Sequence, residues 1–201
     1  MKEQVGTYSR RGFVDMEKIR LMGRKGMKEK CLDGGLEHVH EMTERCTELE
    51  HIPTRLLVES DLQHTGLERT TLWSKEAMFD RDDTIGLALV KEGKPEELEG
   101  WILVRSCEQG WRFGPLYATT PANATFLLRT AMKRLEEGDG SFIAEMWLKN
   151  EKAIEVFEDA GWESLGLEYH RMWLDGNVPE AQQAGGKAER EMFAVFDAGE
   201  G

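Results

Sequence analysis

Apolar residues in this chain fall in short runs set apart by charged, Gly- and Pro-containing turns. Leu36, Val39, Met42, Cys46 and Leu49 recur at helical spacing as one narrow stripe that Pro53 closes, which predicts a connecting helix. RLLVE, residues 55–59, reads as a short strand. Ser60 to Gln63 form a capping box with Gly66 as the stop, and residues 67–79 read as a further helix ended by DRDD. Three strands are expected over 84–91, 98–106 and 111–118, divided by EGKPEE and CEQG. Links this short favour antiparallel hairpins, because a parallel crossover needs about a dozen residues. Thr120-Pro121 then opens a helix running to about residue 136, with Thr as N-cap and Pro at the first helical position. FIAEMWL, residues 142–148, is apolar at both phases, as in a buried central strand. Asn150 caps the next helix, Gly161 ends it, and residues 169–174 form another strand. Residues 177–187 read as a mobile loop and 191–199 as an edge strand.

The segment 150–162, NEKAIEVFEDAGW, has a shorter echo near the start, TYSRRGFVDMEKIRLM. Tyr8, Gly12, Phe13 and Val14 fall in register with Phe157, Gly161, Trp162 and Glu163. Arg20, Leu21 and Met22 match Arg171, Met172 and Trp173 after a short insertion. Each copy reads as a helix end, a Gly stop, an aromatic residue and a strand, the strand of the first lying over 18–24. Because the first copy lacks everything upstream, residues 1–25 are expected to be the remnant of a preceding repeat. Residues 26–53 then form a linker and connecting helix, and 54–201 the main domain. The orphan strand is expected to need a sheet edge or a second chain, hence a homo-oligomer through the N-terminal strand.

Composition narrows the functional classes. A charge of -12, from 38 acidic against 26 basic residues, argues against a nucleic-acid partner. The basic residues gathered between Arg10 and Lys30 read as a solvated face. The apolar runs are far too short to span a membrane, and MKEQVGTYSRRG has no apolar core of a secretory signal. The three cysteines, an odd number without close spacing, fit free thiols in the cytoplasm.

The order of three antiparallel strands, helix, strand, helix and strand, with Asn150, Ala153, Phe157 and Gly161-Trp162 in the last helix, resembles the GNAT acetyltransferase superfamily. GWILVRS and WRFGPLYA are similar to the two strands before that family's cofactor site. The GW…GPLYA pattern and acidic tail resemble the second half of tandem GNAT proteins. The resemblance covers about residues 54–174 and implies an α/β fold (α+β) with a mixed, largely antiparallel sheet flanked by helices. It also implies acyl transfer from acetyl-CoA to a small-molecule or peptide amine.

The same resemblance assigns site residues. Backbone over 113–117, including Leu116 and Tyr117, would pair with the pantetheine arm as the family's splayed fourth strand does, the plainer reading being a buried strand with a turn at Gly114-Pro115. Asn123 and Ala124 at the helix start would lie near the pyrophosphate, and Asn150 and Phe157 beside the cofactor. The family's Gly-rich phosphate loop is absent from ATTPANATF, and Pro121 removes one N–H donor. Phe157 stands where many relatives have a Tyr that protonates the leaving thiolate, and it has no proton to give. Tyr8 is the matching residue of the first copy. Glu145 could act as general base through a water, the plainer reading being a solvated carboxylate near a sheet end. Asn150 needs no role beyond capping its helix.

No metal site is expected. His38 and His40 would point about 200° apart on a helix, and with Cys31 and Cys46 they give no zinc spacing. His170 beside Arg171 could face a cleft, although a surface position is the simpler expectation. The tryptophans read mostly as core, with an aromatic-lined substrate pocket as the alternative. Two functions follow: an N-acetyltransferase lacking parts of its machinery, or a non-catalytic module of the same fold that binds a ligand or partner.

Overall fold

Two strands from opposite ends of the chain lie side by side in the computed structural model, which describes residues 2–25, 39–74, 78, 81–108, 110–135 and 140–198. They are β1 (Phe13–Lys25) and β7 (Glu163–Leu174), paired antiparallel from Phe13 opposite Leu174 to Gly23 opposite Glu163. Helix α1 (Lys2–Ser9) and Gly12 precede β1, as α5 (Glu151–Asp159) and Gly161 precede β7. Both glycines take positive φ, 88° and 78°, a conformation that lets the chain turn out of a helix without a Cβ clash. Each of the two strands is thus entered from a helix through a glycine.

On its other side β1 pairs antiparallel with β6 (Ser141–Trp147), placing Ile19 opposite Trp147. The strand expected to need a sheet edge or a second chain thus finds both partners within this chain. The sheet continues through a meander of β2 (Cys46–Glu48), β3 (Thr84–Lys91), β4 (Lys94–Cys107) and β5 (Gly110–Ala118), all antiparallel. Strands β5 and β6 run parallel, joined by the crossover helix α4 (Pro121–Lys133). The order is β2-β3-β4-β5-β6-β1-β7, with β8 (Met192–Ala194) added onto β5. This is the mixed, largely antiparallel sheet flanked by helices that the family resemblance implied.

Helices α4 and α5 cover one face, where Phe113, Phe142, Leu127, Phe157 and Trp162 pack together. Helix α3 (Thr54–Thr65) and α6 (Lys187–Glu191) lie over the other, whose core includes Ile19, Trp73, Trp101, Tyr117, Trp147 and Phe196. Two of the three predicted caps are present, whereas Ser60 of the expected capping box lies inside α3, which Pro53 precedes as N-cap. Thr120 Oγ1 accepts from Asn123 N at 3.2 Å and Asn150 Oδ1 from Ala153 N at 3.2 Å.

Several local expectations give way to tertiary structure. Residues 55–59 lie inside α3 because Leu56, Leu57, Asp61 and His64 share one buried helical face; Gly66 stops that helix, with φ 69°. The predicted 36–49 helix is helical only over α2 (Val39–Arg45), within the described residues. From Cys46 the chain pairs with the open ladder of β3, Cys46 opposite Leu89. Within 67–79 the described residues include one 3₁₀ turn, Thr70–Trp73, with Trp73 buried; residues 75–77 and 79–80 lie outside the described residues. So do Cys31, His38 and the linker over 26–35. The 177–187 segment is not a free loop. It buries Gln182, whose amide donates to the Thr65 carbonyl, and leads into α6 with Ala188 wholly enclosed. The strand predicted at the C-terminal edge lies inside the sheet, beside β5.

Candidate functional site

Strands β5 and β6 keep register from Gly110 opposite Ser141 to Phe113 opposite Ala144, and then part. This divergence opens the slot that the family resemblance assigns to a pantetheine arm. Residues 192–196 fill it. Leu116 faces Ala194 and Tyr117 faces Met192 in antiparallel pairing. The Val195 N–H donates to the Glu145 carbonyl at 2.9 Å, and Asn150 Nδ2 donates to the Met192 carbonyl at 3.0 Å. Gly114 is shaped for this neighbour, since a Cβ there would lie 2.2 Å from the Val195 carbonyl oxygen. Phe196 then packs edge-on to Trp73 at 5.7 Å, with the Arg105 guanidinium 3.6 Å from its ring centre.

Glu145 is buried at 4 % exposure, which corrects the expectation of a solvated carboxylate. It accepts from Arg112 Nη1 at 2.7 Å and from the Ala198 N–H, so it anchors the tail on both flanks. At the start of α4, the Asn123 N–H is taken by Thr120 Oγ1 and the Ala124 N–H by the Thr120 carbonyl, while Pro121 has none. The Asn123 side chain donates to Thr119 Oγ1 at 3.1 Å. Phe157 is sealed in the helix-side core, edge-on to Trp162. Tyr8 is half exposed on α1, edge-on to Phe13. The structure thus gathers Leu116, Tyr117, Glu145 and Asn150 around one slot. It leaves Tyr8, Phe157 and the start of α4 elsewhere.

Acetyl-CoA, the cofactor this fold implies, does not fit these residues as they stand. The backbone groups that would pair with its arm are already paired with the tail, and the helix start has almost no donors left for a pyrophosphate.

The α3 face carries polar groups that no sequence pattern singled out. Arg69 grips Asp61 through two bonds, 3.0 and 2.6 Å, and the Tyr117 hydroxyl donates to Asp61 Oδ1 at 2.9 Å. Burial, and then the Asp61 charge, push the Tyr117 phenol well above its ordinary pKa. His64 stacks on the Tyr117 ring at 4.2 Å and donates from Nδ1 to the Ser60 carbonyl at 2.7 Å. Its Nε2 comes within 3.4 Å of Glu191 Oε2. Both oxygens of Asp61 are engaged, so the cluster reads as a cross-brace between α3 and β5.

Nearby, a cavity of about 350 Å³ lies between strands β6, β1 and β7 and the segment 176–184. Arg171 lines it at 6 % exposure, with its guanidinium 5.5 Å from the Trp147 ring and 5.3 Å from that of Trp173. Among the described residues none of its three side-chain nitrogens has a hydrogen-bond partner. Desolvation lowers its pKa to about 10, leaving it charged at neutral pH. The sequence did offer one sign. Tyr169, Arg171 and Trp173 alternate along β7, so the arginine shares a strand phase with two aromatics. His170, by contrast, faces outward and pairs with Asp15 at 2.8 Å. No group of three or more His, Cys, Asp or Glu side chains able to hold a metal occurs among the described residues.

Comparison with known proteins identifies the architecture. A family model for the acetyltransferase (GNAT) domain matches residues 57–184. A Pyrococcus horikoshii protein provisionally assigned as an acetyltransferase superposes with a TM-score of 0.65 at 19% identity, covering 98% of this chain and 57% of its own. A GCN5-related N-acetyltransferase from Sphaerobacter thermophilus gives 0.54 at 14% identity, with 86% and 55% covered. One from Anabaena variabilis gives 0.52 at 11%, with 84% and 42% covered. This chain therefore spans about half the length of these structures, and at such identities they speak to the fold alone. No curated protein matches the sequence.

Proposed function

We propose that this chain, which belongs to the GNAT acetyltransferase family, serves amine acylation as a unit that binds a ligand or acceptor and does not seat acyl-CoA. One observation carries this reading: residues 192–196 lie in the cofactor slot, held by Gly114, Leu116, Glu145 and Asn150. Bound acyl-CoA would have to displace a strand whose Phe193, Val195 and Phe196 side chains are buried. Loss of that burial opposes displacement by roughly 1.5–3 kcal/mol per side chain. The missing phosphate loop and the phenylalanine at position 157 point the same way. In this reading the acyl-CoA is carried by another unit, and the α3 face supplies recognition.

A second reading, direct acetyl transfer by this chain, is favoured by the family match over residues 57–184, which ends before the tail. Calorimetric titration of the full chain with acetyl-CoA separates the two. The first predicts no heat of binding up to millimolar ligand. Micromolar binding would overturn it and support the second.

A further inference from the structure

We propose that the cavity beside Arg171 is a binding site for a small organic carboxylate that also carries a hydrogen-bond donor, the chemistry of an α-amino or α-hydroxy acid. The inference does not depend on acyl transfer. It starts from unsatisfied groups whose residues line one cavity. Arg171 brings three nitrogens without partners, and the Trp147 Nε1–H has none either. Buried polar groups are nearly always hydrogen-bonded, and a charged group left bare is the most costly exception. The two indole faces hold the guanidinium through cation–π contact. Such contact acts on the faces of the group and leaves its in-plane N–H donors without partners.

The lining also selects the ligand. A guanidinium presents parallel donors that match a carboxylate. Lys149, the other cation there, is already paired with Glu17. The lining therefore balances one negative charge better than the two of a phosphate monoester. Two acceptors belong to residues that line the same cavity, Glu17 Oε2 and Gln182 Oε1, both buried without partners. They would receive the ligand's ammonium or hydroxyl hydrogen. Glu17 lies directly opposite Arg171 in the β1–β7 register, so donor and acceptor come from adjacent strands. Gln182 is fixed by the hydrogen bond that its side-chain amide donates to the Thr65 carbonyl.

The test is calorimetric titration of the full chain with a panel of free L-amino acids and their 2-hydroxy analogues, each run beside its carboxamide. At least one acid is expected to bind below about 1 mM, and its amide at least about tenfold more weakly. Arg171→Lys keeps the charge but lacks the fork, and should lose about tenfold in affinity. Arg171→Met should abolish binding, with circular dichroism and melting confirming that both variants fold. The proposal is overturned if no acid binds by about 10 mM, if acids and amides bind alike, or if folded Arg171→Met binds as tightly as the unaltered chain.

Discussion

The Val195 backbone N–H donates to the Glu145 carbonyl at 2.9 Å, tying the C-terminal strand to the inner rail of the slot between β5 and β6. Glu145 also receives the Ala198 N–H on its carboxylate, so one residue holds the tail at two points. The tail is therefore a packed strand of this sheet, and its place depends on contacts that can be altered singly.

Gly114→Ala is the most selective of these alterations. Its Cβ would meet the Val195 oxygen at 2.2 Å, on backbone with φ 156°. Overpacking of this kind costs about 1–3 kcal/mol. Hydrogen exchange should show amide protection over 192–196 lost, while that over β3 and β4 is retained. Unchanged protection of the tail would mean that Gly114 does not control its seat.

Deletion of residues 1–25 should remove the strand between β6 and β7. Both neighbours would then expose unpaired ladders, and Ile19 and Met22, fully enclosed in the two cores, would be lost. We expect aggregation or loss of cooperative melting. A monomer with an unchanged melting curve would contradict the sheet order.

Stability should fall at high pH because of Tyr117. Burial, followed by the neighbouring Asp61 charge, raises its folded pKa above the unfolded value of about 10. A group raised in this way contributes fully below the unfolded pKa, and its contribution is lost as pH rises through the folded one. Urea midpoints should therefore decline above pH ~10, and Tyr117→Phe should flatten that decline. An alkaline limb that stays equally steep in the variant would assign the effect elsewhere.

Arg171→Met should stabilise the fold. The guanidinium is buried without a hydrogen-bond partner, so an unbranched apolar side chain removes an uncompensated desolvation penalty. A gain of about 1–3 kcal/mol in urea unfolding is expected. A loss of that size would show that the two tryptophan contacts outweigh the penalty.

Much of the fold was legible because its signals are local. The meander over β3–β5, the Thr120 and Asn150 caps and the Gly12 and Gly161 stops each follow from residues within one turn or hairpin. Errors arose where a distant partner outweighed local pattern. Residues 55–59 have strand-like composition, yet Leu56 and Leu57 are buried on a helix against the sheet. Cys46–Glu48 left a helical stripe because β3 offered an unpaired edge. The candidate site was less legible for the same reason. Tyr117 was singled out, but its partners Asp61, Arg69 and His64 come from 48 to 56 positions away in the chain.

The sequence by itself determined the helix stops, the hairpins and the caps at Thr120 and Asn150, since each depends on residue chemistry at fixed spacing. Only the tertiary structure decided where β1 and β8 go. A strand's pattern states which faces it buries but does not name the neighbour that completes its hydrogen bonds. Here those neighbours lie more than a hundred residues from β1 and about fifty to eighty from β8. That choice of neighbour places the tail between β5 and β6 and sets Glu17 beside Arg171.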